Sequence, residues 1–585
     1  MHLYLVLSSQ LLLHMKKICL GLLLAATWPA LAQSPPTKVK VKTKNPVLNQ
    51  PTTQPVQVKM DPAGPETPTP PGAANAADWS VRYAELVSAE GLRRHLSVLA
   101  SDEYEGRETG QKGQKMAAEY ITARFREDGL AGPVRAGANP YQQAFGLERS
   151  TWAPGGQTLR VGGKTYAWLQ DFYARGNPPF EQLTTVRPVF AGYGIEQDGY
   201  SDYALAGDVR GKDLLLLSGE PLDAAGRPVL GGADGQPTRW GQANPSAKLE
   251  LAAKKGARSV FFVDFSPNAN FAKLAGRLAP SLTAPAVRFA DQPARYAPSV
   301  FVAPAVGYAV LKTSEAAARK YLAAVAAARQ PVAAPFRVVS FQVQTAKKRE
   351  SFTTENVLGY LEGTDKKDEV LVISAHYDHL GVQDGKVFNG ADDDGSGTSS
   401  LLMLAQAFSQ AKKDGHGPRR SILFLANVGE EKGLLGSQYY TDHPVLPLEN
   451  TIADLNIDMV GRTDPQHEGQ PDYVYVIGAD KLSSQLSAVN EQMNQRYTQL
   501  ELDYRYNDPA DPNRFYYRSD HYNFAVHKVP VAFYFNGVHA DYHQETDEIS
   551  KIEFGKMEKR ARLVFHTAWE LANRDERIVV DSNKP

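Results

Sequence analysis

Residues 369–381 read EVLVISAHYDHLG, 421–437 read SILFLANVGEEKGLLGS and 451–462 read TIADLNIDMVGR. Each opens on a short apolar run of the kind that forms a buried strand. Each then delivers residues of metal-ligand type: His376 and Asp378, Glu430 and Glu431, and Asp458. A fourth segment, NGADDDGSG (389–397), places Asp392, Asp393 and Asp394 before Gly-Ser-Gly. Open α/β sheets bind ligands at the carboxyl ends of their strands, so successive strands bring these side chains to one edge.

Working outward, strand-like runs at 356–361, 370–375, 421–427, 451–457, 473–477 and 531–535 alternate with helical segments. Leu401, Leu404, Ala405 and Phe408 illustrate the i, i+3, i+4, i+7 pattern of one such helix. Alternation of this kind predicts an α/β fold, a mostly parallel central sheet sandwiched by helices. Upstream, Leu92, Leu96 and Leu99, then Met116, Ala117, Tyr120, Ile121 and Phe125, mark two helices. The polar turn Glu105-Gly106-Arg107 between them reads as a connector. From 155 to 336 the texture shifts to short β-like runs punctuated by Gly and Pro, with no His, Asp and Glu cluster at ligand spacing. This predicts an inserted, non-catalytic β-rich domain. It separates a first part of the α/β domain (79–154) from the main part (337–578), which a tail (579–585) follows.

Lys16-Lys17, the apolar Ile18–Ala26 and Ala30-Leu31-Ala32 form the pattern of a secretory signal peptide over 1–32, so a secreted or periplasmic location is expected. Met15 is an alternative start. The apolar run is shorter than the ~20 residues a span needs, so no stable membrane span is expected after cleavage. Residues 33–78, rich in Pro, Thr, Gln and Lys, read as an extended linker. The single cysteine, Cys19, lies inside the leader, which leaves the mature chain without thiols or disulfides. With 64 basic and 65 acidic residues the net charge is -1, and nothing draws the protein toward nucleic acid.

Zinc takes imidazole and carboxylate ligands at ~2.0–2.2 Å, and two-metal hydrolases hold their ions ~3.5–4 Å apart, so that one carboxylate can bridge them. Five donors suffice: His376, Asp393, Glu431, Asp458 and a histidine from the C-terminal segments RSDHYNF (518–524) and FNGVHADYHQETDEISKI (535–552). These offer His521, His539 and His543. Glu430, next to Glu431 but diverging from it, suits a general base. Asp378, two residues after His376, suits orientation of its ring. The triple aspartate lacks the alternating spacing of a calcium loop.

These motifs resemble the exported di-zinc aminopeptidases, whose relatives include glutamate carboxypeptidase, glutaminyl cyclase and the transferrin receptor. The resemblance covers about 92–130 and 356–571 and implies a phosphorylase/hydrolase-like zinc peptidase fold. It implies zinc ligation by His376 with Asp378 behind it, a bridging Asp393, Glu430 as base, and Glu431 and Asp458 as ligands. The motif Tyr542-His543-Gln544-Glu545-Thr546-Asp547 is similar to the family's Tyr-His-Thr-x-x-Asp, which selects His543 over His521 and His539. One zinc then sits on His376, Asp393 and Asp458, the other on Asp393, Glu431 and His543, with cobalt or manganese as substitutes. Tyr542 becomes an oxyanion donor; Arg518 is read as a surface ion-pair residue rather than one that recognises substrate. GYGI (192–195), the Gly-Lys turn before Asp213 and the helix–strand unit 247–263 resemble a protease-associated domain. The implied activity is hydrolysis of the first peptide bond of peptides with a free N-terminus. A carboxypeptidase or dipeptidase and a glutaminyl cyclase are the alternatives. A non-catalytic receptor-like protein is disfavoured because no ligand is missing.

Overall fold

All six apolar runs lie within strands, and their order in space explains why the site gathers at one edge. The computed structural model describes residues 78–583 apart from 232–235, 267–269, 292–294 and 471. The signal peptide, Cys19 and all but the last residue of the linker lie outside the described residues. The strands that matter are β1 (Gln142–Val161), β2 (Phe341–Leu361), β3 (Lys366–His376), β4 (Arg420–Asn427), β5 (Thr451–Ile457), β6 (Tyr473–Ile477) and β7 (Val531–Phe535). They pair in the order β1-β2-β4-β3-β5-β7-β6 within a sheet of eleven described strands. Its centre, β4-β3-β5-β7, is parallel. The flanks are antiparallel, β2 against β4 and β6 against β7, so the sheet is mixed around a parallel core.

Residues along a strand alternate between two faces, and a strand buried on both reads as a continuous apolar run. In β3, Leu371, Ile373 and Ala375 enter one core while Val370 and Val372 enter another. The first core receives α1 (Ala89–Leu99), α2 (Lys112–Asp128), α3 (Gly397–Lys413) and α4 (Phe554–Asn573) through Leu96, Phe125, Phe408 and Val564. Tyr440 and Phe524 close the opposite face.

A second sheet pairs Phe172–Arg175, Ser299–Val302, Ser259–Val263, Asp213–Leu217 and Val189–Phe190 in that order, the last four parallel. It has its own core around Phe180, Phe261 and Val300. β1 and β2 link it to the main sheet. Their antiparallel ladder runs from Gln142 opposite Val357 to Arg160 opposite Gln342, so Phe145 lies in the main core and Leu159 in the second. Residue 155 falls inside β1, where the ladder shifts register between Trp152 and Gln157. Among the described residues no helix is long and apolar enough to cross a membrane.

Two core histidines make stability depend on pH. His566 Nδ1 lies 2.6 Å from the Ser80 hydroxyl, its ring stacked on Tyr497, and His95 lies against the Tyr120 hydroxyl at 2.9 Å. Burial, more than the nearby arginines, lowers both to about 4. Below the unfolded value near 6.5 the unfolded chain binds protons that the folded one refuses, so stability is lost as pH falls from ~6.5 toward 4, by up to about 3 kcal/mol per histidine. Asp128 and Asp202, raised by burial to about 6, titrate in this window with the opposite sign. The readout is therefore a difference: the stability gap between wild type and His566→Gln in urea should shrink steadily from pH 7 to 4. A gap independent of pH would contradict it.

Candidate metal centre

His376 ends β3, Glu430 and Glu431 follow β4, Asp458 follows β5, and Tyr542 and His543 lie beyond β7. These are the carboxyl ends of four parallel neighbours, the position at which such sheets bind ligands. Asp393 comes from the loop between β3 and α3, and its peptide bond to Asp394 is cis.

The Asp393 carboxylate is shared. Oδ1 lies 3.3 Å from His376 Nε2, which is 3.6 Å from Asp458 Oδ1. Oδ2 lies 3.1 Å from His543 Nε2, which is 3.3 Å from Glu431 Oε2. A tetrahedral ion with ~2.1 Å bonds separates its ligand atoms by roughly 3.4 Å, so each imidazole nitrogen stands from its two carboxylates at the spacing of donors on one ion. His376 Nε2 is buried and makes no hydrogen bond despite these neighbours. Burial opposes charge on both imidazoles, yet the surrounding carboxylates outweigh it, pushing His376 up and His543 to about 10. The carboxylates crowded around these imidazoles carry negative charge that a cation would balance, and the residues fit bound metal.

The triple aspartate divides its labour. Asp392 accepts from Gly461 N at 2.6 Å and meets His539 Nε2 at 3.0 Å. Asp394 accepts from the backbone of His376, Gly397 and Met459 at 3.2, 2.8 and 3.0 Å. Asp393 is the one of the three whose carboxylate stands beside both His376 and His543, while an oxygen of Asp394 also falls within 4.8 Å of ligand atoms of His376 and Asp458. His539 is therefore engaged by Asp392, and His521 is buried between the rings of Phe533 and Tyr516 at 4.7 and 5.6 Å. Of the three C-terminal histidines, His543 is the one beside Asp393 and Glu431.

Supporting contacts set the orientations. His376 Nδ1 lies 3.1 Å from the Asp378 backbone carbonyl and 3.8 Å from its carboxylate, so the carbonyl is the nearer partner. That contact selects the tautomer that leaves Nε2 free to ligate. The Asp378 carboxylate accepts from the Thr109 hydroxyl at 2.6 Å and from Glu430 N at 3.2 Å, tying the Glu430 loop to the strand that carries His376. Ser519 donates to Asp458 Oδ2 at 2.6 Å, and Asn456 donates to Ser519 at 2.9 Å. Tyr542 stacks on His543 and accepts from Arg518 at 3.3 Å; both line a cleft with Glu430 and Asp458 over an apolar floor that includes Phe515 and Phe533.

The turn read as a connector clamps the site. Arg107 is buried and donates to the carbonyls of Tyr377 (2.8 Å), Leu99 (2.6 Å), Asn389 (2.6 Å) and Gly390 (2.9 Å). It fastens the end of β3 to the loop before Asp393. Gly106, at φ +64°, lets that turn approach: a Cβ there would lie 2.3 Å from Phe388 O. The sequence signal was Gly-Arg in a polar turn, but the partners are up to 283 residues away.

Five ligand-type side chains, with one carboxylate shared between two imidazoles, form a cluster able to hold metal at the carboxyl edge of the parallel-centred sheet of an α/β fold. Residues 356–568 match the family described as Peptidase family M28. A probable leucine aminopeptidase of Arthroderma otae is 31% identical over 215 residues, 35% of this chain and 55% of that one. Aminopeptidase YwaD of Bacillus subtilis is 32% identical over 149 residues, 22% of this chain and 30% of that one. The chain thus spans about half the length of the first relative and under a third of the second. An aminopeptidase structure from Aneurinibacillus sp. strain AM-1 aligns over 86% of this chain and all of its own, with 19% identity and a TM-score of 0.49.

Proposed function

We propose that the protein is a secreted or periplasmic zinc aminopeptidase that removes residues from the free N-terminus of peptides. The observation that carries this reading is the Asp393 carboxylate, shared between the His376–Asp458 and His543–Glu431 pairs. His376, Asp393 and Asp458 would hold one zinc ion and Asp393, Glu431 and His543 the other, with cobalt or manganese as substitutes. When bound, such ions supply Lewis acidity toward the substrate carbonyl and acidify water. Glu430 takes the proton of the attacking water and returns it to the leaving amine. Its position among the donors, 3.9 Å from His376 Nε2, supports that role. Tyr542, whose hydroxyl proton is held tightly by burial and the nearby carboxylates, donates to the carbonyl oxygen as charge develops. Arg518, beside Tyr542 in the cleft, helps to aim that hydroxyl.

The leader-like residues 1–32 support export. We assign 155–336 to a protease-associated domain, a reading supported by the five-stranded sheet of that region and the core packed on it, while its strands Thr184–Val186 and Ala286–Phe289 pair with the main sheet.

The test is hydrolysis of a matched set of peptides with free or acetylated N-termini, each with a free or amidated C-terminus, with metal content measured on the same sample. Release of the first residue from free N-termini alone, with two metal equivalents, is expected. Cleavage that instead demands a free C-terminus would turn the assignment to a carboxypeptidase, and a metal-free inactive protein would overturn it.

A further inference from the structure

His379 belongs to the same AHYDHLG segment as His376 but was not among the expected ligands. It is fully buried. Its backbone N donates to Arg107 O at 3.3 Å, and the residue forms a parallel bridge with Glu108, so the clamp at Arg107 also fixes its backbone. The ring sits in a slot. On one side is Gly390, where a Cβ would come 2.5 Å from the ring atoms Cγ and Cδ2. On another, the His543 ring stands edge-on, with centroids 5.8 Å apart and planes at 69°.

The slot aims Nδ1 at the second cation position. Nδ1 lies 2.9 Å from Glu431 Oε1 and 3.8 Å from Asp393 Oδ2, and donor atoms of His379, Asp393 and Glu431 all fall within 4.8 Å of one another. Yet Nδ1 makes no hydrogen bond, and neither does Glu431 Oε1. His376 Nε2 behaves alike, close to oxygens of two carboxylates and hydrogen-bonded to neither. A buried ring nitrogen 2.9 and 3.8 Å from oxygens of two carboxylates and hydrogen-bonded to neither is placed as a ligand is. Leaving a buried polar atom unpartnered is costly, and a bound ion removes the cost.

We infer that His379 Nδ1 is an additional donor to the cation held by Asp393, Glu431 and His543. The inference rests on the two-metal reading above. It makes the two positions unequal: one imidazole and two carboxylates around the first ion, two imidazoles and two carboxylates around the second. Imidazole suits zinc and cobalt, whereas carboxylate and water suit manganese, so the second position fills first and discriminates more strongly against manganese.

Stepwise loading of the full-length apoprotein with Co(II) tests this without reference to turnover. Each coordinated imidazole contributes one exchangeable, strongly shifted N–H proton to the spectrum of the cobalt protein. Wild type should show three when fully loaded, two of them already present at one equivalent, and His379→Ala should show two in all. The affinity of the first equivalent, measured by chelator competition, should fall at least about tenfold in His379→Ala and in His379→Gln, a margin at the low end of what lost metal-site contacts cost. Wild type binding two cobalt ions with only two shifted imidazole protons would overturn this inference alone. Wild type binding no cobalt would overturn the two-metal reading with it. If His379→Ala fails to fold, the wild-type proton count still decides.

Discussion

Replacing Glu430 by glutamine should lower kcat by about 10²–10⁴-fold, the range that a lost general base contributes, while both metal equivalents stay bound. The side chain keeps its size, so packing is unchanged, but the amide cannot accept a proton from water. Three features single out this residue. Its side chain is 12% exposed and lines the cleft with Asp393 and Asp458, so it is open to solvent from the cleft. Its backbone N–H is held by the Asp378 carboxylate at 3.2 Å, which fixes the loop relative to His376. Burial, with the neighbouring carboxylates, raises its carboxyl above the usual range, the direction that favours proton pick-up. Steady-state kinetics on a peptide with a free N-terminus, with metal content measured on the same protein, checks the expectation. Wild-type turnover in Glu430→Gln would end the proposed mechanism, and lost metal would make Glu430 a ligand instead.

The second large effect concerns how many ions a single change disturbs. Asp393 contributes one oxygen to each donor group, at 3.3 Å from His376 and 3.1 Å from His543. Asp393→Ala should therefore weaken both metal positions, each by more than about 100-fold, since losing a direct donor costs more than the 10–100-fold seen for outer contacts. His543 belongs to one group only and is partly exposed, so His543→Ala should weaken one position and leave the other at its wild-type affinity. Challenge with a graded chelator separates the cases. Wild type gives up its ions last, His543→Ala loses one equivalent early and one late, and Asp393→Ala loses both early. Two early losses in His543→Ala, or one in Asp393→Ala, would show that the carboxylate does not bridge.

Why some of this was readable in advance and some was not follows from the range of the interactions involved. The six strand runs were legible because a strand buried on both faces is mostly apolar along its length, a local property. The helix at Leu401–Phe408 was legible through its period. His376, Glu431 and Asp458 were legible because each is anchored to the end of one such run. The antiparallel flanks were not, because nothing within β2 specifies which way its neighbour β4 runs. The connector reading of Glu105-Gly106-Arg107 failed to anticipate the clamp for a related reason: Arg107 binds carbonyls, and backbone carbonyls carry no residue identity.

By itself, then, the sequence determined the class of fold, the edge at which the site forms and the kinds of side chain gathered there. These depend on apolar patterning and on spacing to strand ends, which act over a few residues. Tertiary structure alone decided how those side chains are apportioned. It engaged Asp392 with His539 and gave Asp394 to three backbone N–H groups, which left Asp393 to be shared. It buried His521 among aromatic rings, set His543 beside Glu431, and turned His379 toward the same carboxylate. Most of these choices are contacts between segments tens to hundreds of residues apart, such as Asp392 with His539 and Asp393 with His543, set by where the strands stack and how their loops close.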